Sequence, residues 1–188
     1  MSKEIVKFSK FLSYVLRHRP DKIDIQLDCQ GWVDVDTLLQ QANVHGYALT
    51  EPLLEEIVTT NNKQRFSFSL DGQRIRANQG HSVSVDLGLL PQTPPEIFYH
   101  GTALRFLESI LDSGLRPGSR HHVHLSRDVE TAFKVGQRHG KPVVLQVAAQ
   151  QMHTDGHLFF CADNGVWLTE RVAPQYLIRL DEGNVQLA

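Results

Sequence analysis

The chain has 188 residues, 41% hydrophobic content and a formal net charge of −2, which suits one large soluble domain or two small lobes. No apolar run approaches the roughly 20 residues of a membrane span, and the Met1-Ser2-Lys3-Glu4 start has no signal-peptide pattern, so neither a helical anchor nor a secretory leader is expected. Two cysteines, Cys29 and Cys161, give no disulfide framework and no paired-cysteine metal spacing, and a reducing cytoplasm is the simplest compartment.

Residues 4–17 read as an amphipathic helix, with Ile5, Phe8, Leu12 and Val15 at helical spacing and Phe11 and Leu16 widening the face. Pro20 stops it. Asp34 or Asp36 is placed to cap a second helix through Leu38, Leu39 and Ala42. Thr50 is placed to cap a third, with Pro52 in its first turn and Leu53, Leu54 and Ile57 facing inward. Phe66-Ser67-Phe68-Ser69-Leu70 alternates with period two, Asp71-Gly72 turns, and Arg74-Ile75-Arg76 alternates again: a β-hairpin. Three helices and a hairpin make a winged-helix pattern over residues 1–90, a fold that serves nucleic-acid binding and dimerisation alike. Residues 83–95, with Pro91, Pro94 and Pro95, read as a linker. Beyond it, strands are expected at 96–99, 122–125, 142–147, 158–160, 166–169 and 176–180, and helices at 103–111 and 129–138. Short strands with two helices make residues 96–188 an α+β lobe.

The net charge does not announce nucleic acid, but its distribution is uneven. Acidic residues concentrate at 21–36 and 51–56, while arginines and histidines gather at 17–19, 74–81, 116–124 and 138–139. Local positive patches bind phosphate on an acidic protein. Arg17-His18-Arg19 closes the first helix. It reads either as cations complementing the helix C-terminus or as a phosphate clamp. Arg65 precedes the hairpin. Arg74-Ile75-Arg76-Ala77-Asn78-Gln79-Gly80-His81-Ser82 is dense in donors and poor in packing atoms, and is the most distinctive stretch of the chain. His100-Gly101-Thr102 follows directly on a predicted strand, where glycine lets a ligand approach the backbone. His122 and His124 share a strand face, but no third metal ligand is evident. His153, His157 and Cys161 are interrupted by Asp155-Gly156, a turn, so a zinc site is not expected. Gly-x-Gly-x-x-Gly and the phosphate-loop signature are missing, and no carboxylate pair stands out. Phosphate chemistry here is expected to run without a metal.

Seven blocks occur in the order seen in the RNA 2′-phosphotransferase family: Leu16-Arg17-His18-Arg19-Pro20, Arg65-Phe66, residues 74–82, residues 99–102, residues 122–126, residues 135–140 and residues 164–169. The chain resembles that family over nearly its whole length. The resemblance implies a winged-helix RNA lobe followed by an ADP-ribosyltransferase-like lobe that takes NAD. It implies NAD-dependent removal of an internal RNA 2′-phosphate from a tRNA-like substrate. The phosphate first takes ADP-ribose as nicotinamide leaves, and transesterification then gives 2′-hydroxyl RNA and ADP-ribose 1″,2″-cyclic phosphate. The family's catalytic Arg-His-Arg-Arg set carries over to Arg17, His18, Arg65 and Arg138. NAD falls to His100, Gly101, Thr102, His124 and Ser126, and RNA phosphates to Arg74, Arg76, Asn78, Gln79, His81 and Ser82. The glutamate of protein-modifying relatives is missing near Asn164-Gly165-Val166, which argues against ordinary protein ADP-ribosylation. A monomer is expected. The alternatives are a capping ADP-ribosyltransferase for terminal nucleic-acid phosphates and a winged-helix regulator that senses NAD without turnover.

Overall fold

The computed structural model describes residues 2–61 and 63–180. The chain divides into two compact units, Met1–Leu89 and Leu90–Ala188, each with its own apolar core. Helices and small antiparallel sheets occur in both, so the class is α+β.

In the first unit, α1 (Lys3–Arg17) begins where the Ser2 hydroxyl accepts the Ile5 N–H. Its apolar stripe buries Ile5, Phe8, Phe11, Leu12, Val15 and Leu16, each contributing roughly 1.5–3 kcal/mol of transfer free energy. A short 3₁₀ turn, Pro20–Ile23, follows. Asp34, not Asp36, caps α2 (Val35–Val44) by accepting the Thr37 N–H, and Thr50 caps α3 (Glu51–Thr60), with proline tolerated in the first turn. The helices close on a sheet of β1 (Val33–Asp34), β2 (Phe66–Phe68) and β3 (Arg74–Ala77), ordered β1-β3-β2. The pairs Val33↔Ile75 and Phe66↔Ala77 put these four apolar residues in the core, so Arg74 and Arg76 point to the opposite face. Two-residue β1 carries no readable period, and it escapes the sequence pattern.

In the second unit, β4 (Phe98–Ala103) pairs with β6 (Pro142–Val147), which also pairs with β9 (Leu177–Arg179). A second sheet is ordered β5 (Val123–Leu125), β8 (Trp167–Thr169), β7 (Phe159–Cys161). The two sheets are joined where Tyr99 and Ser126 exchange main-chain hydrogen bonds of 2.9 and 2.8 Å. Phe98, Phe159 and Trp167 pack in the core. The helices are α4 (Leu104–Ser113), α5 (Val129–Gln137) and the unforeseen one-and-a-half turns of α6 (Ala149–Thr154), too short to show a period.

Two expectations change. His100-Gly101-Thr102 does not follow a strand; β4 runs straight through it, because all three residues pair in register with Leu145, Val144 and Val143. The segment read as a linker is bonded at both ends. The Val83 and Asp86 amides donate to the Arg17 and Cys29 carbonyls, and the Gln92 amide to the Phe159 carbonyl. Its prolines break periodicity without preventing such isolated bonds. Among the described residues, no helix is long and apolar enough to cross a membrane.

Candidate functional site

In the first unit the end of α1 meets the strand exit beyond β3. The main-chain carbonyl of Arg17, left without a helical partner, accepts the Ser82 and Val83 amides at 2.9 and 3.3 Å. That contact lays the Gly80-His81-Ser82 segment over the helix terminus, with Gly80 at φ +87°, a conformation glycine adopts freely. His18 Nδ1 then lies 2.9 Å from Ser82 Oγ. Arg17 is buried, unusual for an arginine. Its Nη2 donates to the Arg65 carbonyl at 3.4 Å, and its guanidinium sits 5.9 Å from the Phe66 ring centroid. Arg65 in turn donates from Nη1 to Asn61 Oδ1 at 3.0 Å. Asn78 fixes the same stretch of main chain, donating from its backbone N–H to the Arg65 carbonyl at 2.9 Å and from Nδ2 to the Gln64 carbonyl at 2.7 Å.

Arg17, His18, Arg65, Asn78 and Ser82, distant in sequence, are thus tied into one polar cluster. A peptide carbonyl accepts from Arg17 and a carboxamide from Arg65, both neutral groups that help to orient a guanidinium. The other predicted RNA-facing residues divide. Asn78 and His81 are buried, and Gln79 is half-buried. Arg74 and Arg76 lie on the outer sheet face beside Trp32, their guanidinium carbons 5.6 and 4.5 Å from its ring centroid, with Arg74 also 3.6 Å from an Asp28 oxygen.

In the second unit, imidazoles take the place of arginines. His100 Nδ1 is 3.1 Å from the His124 carbonyl. A carbonyl only accepts, so Nδ1 carries the proton and Nε2 is left as an acceptor. Burial pushes the His100 pKa down, nearby His139 adds to that direction, and the carbonyl bond opposes it. The ring is therefore neutral at pH 7. Arg120 Nη1 lies 2.8 Å from His124 Nδ1. Arginine only donates, so His124 presents a protonated Nε2. His100 and His124 thus offer opposite hydrogen-bonding characters, acceptor and donor. Thr102 is buried and Ser126 half-buried at the sheet junction.

Gly101 serves packing. A Cβ there would lie 1.6 Å from the Ala132 carbonyl oxygen of α5, and one on Gly136 would lie 2.6 Å from the Thr102 carbonyl oxygen. Helix and strand touch backbone to backbone. On that side the space expected for a ligand is filled by α5. Arg138, the exposed C-cap of α5, stands next to His139, whose charge reaches His100. Val166 precedes β8 in a turn where its N–H meets Asn164 Oδ1 at 3.4 Å.

Asn61 and Arg120 were not singled out by the sequence. Each sits among polar neighbours, Thr-Thr-Asn-Asn-Lys and Gly-Ser-Arg-His-His, that read as loop. Asn61 is revealed by its distant partner Ser9, and Arg120 by the fold of its own segment, which brings it to His124. His122 packs against Phe160 and His157 against Tyr176. Among the described residues no three His, Cys, Asp or Glu side chains converge as metal ligands would.

Comparison with known proteins gives one consistent result. The model of the RNA 2′-phosphotransferase, Tpt1 / KptA family matches residues 3–171. A protein of Agrobacterium fabrum is 60% identical over 169 residues, 90% of this chain and 91% of the relative. One of Hahella chejuensis is 54% identical over 181 residues, 96% and 97% of the two chains. One of Acaryochloris marina is 52% identical over 181 residues, 96% of this chain and all of the relative. All three bear the name "Probable RNA 2′-phosphotransferase".

Proposed function

The chain belongs to the RNA 2′-phosphotransferase, Tpt1 / KptA family, and from that premise we propose that it is a transferase removing an internal 2′-phosphate from RNA, with NAD consumed as co-substrate. The products are RNA with a free 2′-hydroxyl, nicotinamide and ADP-ribose 1″,2″-cyclic phosphate. The observation that carries the reading is the convergence of Arg17, His18 and Arg65 at the end of α1, where the Arg65 carbonyl, Ser82 and Asn61 bond them.

In this reading the first unit is a winged-helix RNA lobe. Arg17 and Arg65 hold the 2′-phosphate as bidentate or single-prong donors, fixing its oxygens for attack. They remain in place when negative charge accumulates on phosphorus and stabilise it without reorganising. His18, oriented by Ser82, hydrogen-bonds the phosphate and moves a proton. Arg74, Arg76, Gln79 and Ser82 contact flanking phosphates and set register without reading bases. Asn78 and His81, being buried, shape that surface from beneath.

The second unit is an ADP-ribosyltransferase-like lobe, and its donor set suits NAD. A neutral His100 offers Nε2 to a ribose hydroxyl, His124 offers an N–H, and Thr102 and Ser126 add hydroxyls beside them. Gly101 contributes by letting α5 sit close, which brings the Arg138 end of that helix toward His100. When bound, NAD supplies an ADP-ribosyl group for the phosphate as nicotinamide departs. Arg138 then supports the phosphate during its transfer to the ribose hydroxyl.

The test is to incubate the protein with NAD and an oligoribonucleotide carrying one internal 2′-phosphate, following nicotinamide release and phosphate loss. Both are expected, with a matched oligonucleotide bearing only a terminal phosphate turned over far more slowly. Equal turnover of the two would sink the reading in favour of terminal capping. Absence of both signals would leave a non-catalytic regulator.

A further inference from the structure

We infer that Asn61 is the positioning residue of this site: its buried carboxamide holds the Arg65 guanidinium in the orientation that receives the 2′-phosphate. The inference rests on the proposed 2′-phosphate reading and deepens it.

Asn61 follows the last turn of α3 and is 3% exposed. Its Oδ1 accepts two donors, the Lys63 N–H at 3.1 Å and Arg65 Nη1 at 3.0 Å. Both are obligate donors, so the amide has one orientation, and Nδ2 is left facing the Ser9 hydroxyl on α1 at 3.4 Å. The Asn61 carbonyl accepts the Gln64 N–H at 2.7 Å. Gln64 itself sits at φ +40°, in the left-handed region a non-glycine residue occupies at a cost unless its surroundings enforce it. Here they do. Asn61 grips the segment from one side, and Asn78 Nδ2 holds the Gln64 carbonyl from the other. The Arg65 main chain is fixed by Asn78 and Arg17, and its side chain by Asn61.

The residue type matters. A carboxylate in this position would pair with Arg65 and compete with an incoming phosphate. An apolar side chain would leave the Lys63 amide and the guanidinium without this acceptor. A neutral amide accepts from the arginine while leaving its positive charge to act on the substrate. The hydrogen bond to Ser9 links that amide to α1, the helix whose last residue is Arg17. Both phosphate-facing arginines are thereby referred to one rigid element.

The experiment measures binding of two oligoribonucleotides that differ only in an internal 2′-phosphate, and takes the ratio of their dissociation constants as the discrimination. It is run on wild type, Asn61→Ala, Arg65→Ala and the double variant. If Asn61 acts through Arg65, Asn61→Ala lowers discrimination by about 30-fold, the size of a lost hydrogen bond to a charged group. In the Arg65→Ala background the same change then costs less than about threefold. Equal losses in both backgrounds, or full discrimination retained by Asn61→Ala, overturn the inference. Should Asn61→Ala fail to fold, Asn61→Asp keeps an acceptor oxygen for both donors. Its carboxylate is expected to lower discrimination about tenfold with Arg65 present and not without it, and equal losses again overturn the proposal. Wild-type protein that binds both oligonucleotides alike overturns the functional reading, and this inference with it.

Discussion

The two candidate clusters are built from opposite materials. In the first unit the groups are guanidinium cations: a carbonyl accepts from Arg17 and a carboxamide from Arg65. In the second, the groups are imidazoles with set tautomers: burial disfavours the charged form of His100, and His124 accepts an Arg120 N–H at Nδ1. Both use the same principle, a fixed partner that decides what the functional group presents. One presents cations, the other a matched acceptor and donor. Under the proposed function, one cluster would meet a phosphate and the other a ribose, which make different demands on their partners.

The strongest way to break this contrast is to remove a cation. Arg17→Ala or Arg65→Ala is expected to reduce single-turnover removal of the 2′-phosphate by about a thousandfold. Arg→Lys at either position should recover little, because an ammonium lacks the planar fork. Recovery to near wild-type rates with lysine would mean that charge alone matters and orientation does not.

A second break targets the support of the imidazole side. Gly101→Ala places a methyl group against the Ala132 carbonyl, and thermal unfolding should fall by roughly 5–10 °C or more. An unchanged midpoint would show that α5 can move aside without cost.

Arg138→Ala sharpens the comparison, since this arginine belongs to the imidazole side but is proposed to serve the phosphate. Being exposed at a helix end, it should leave stability unchanged. Release of 2′-hydroxyl RNA should slow by about 10–100-fold, more than release of nicotinamide. Equal slowing of both products would remove its separate role.

The gentlest probe is pH. Burial holds the His100 pKa below the ordinary imidazole value of about 6.5. Between the lowered folded value and that unfolded value, the unfolded chain binds more protons. The stability contributed by neutral His100 is therefore complete above about pH 6.5 and lost as pH falls toward the folded value. His100→Gln should flatten the dependence of the unfolding midpoint on pH between about 7 and 5. A slope identical to wild type would assign that linkage to another group.

Much of this could be read from the chain. α1 was legible because its apolar stripe is long and regular, and the hairpin because its strands alternate around Asp71-Gly72. Capping at Thr50 followed from one side chain and its position. The arginines and histidines of both clusters stood out as residue types in a pattern, and the order of the blocks carried the family. What was not legible depends on partners far away in sequence. Asn61 is a polar residue in a polar run until Ser9 and Arg65 are brought to it. Gly101 looked like room for a ligand because a sequence does not show which helix crosses a strand. His100 looked like a strand end because a glycine within β4 weakens the local β signal, and six pairs with β6 override it.

The contact between Gly101 and Gly136 makes α5 a lever with its fulcrum at those two glycines. Arg138 lies two residues past the fulcrum, about 3 Å along the helix axis, so its tip moves whenever the fulcrum is raised. Bulk added at either glycine would tilt the helix and carry the guanidinium with it. Such a variant, altered at a residue that touches no phosphate, would behave in a rate measurement as though its arginine had been shortened.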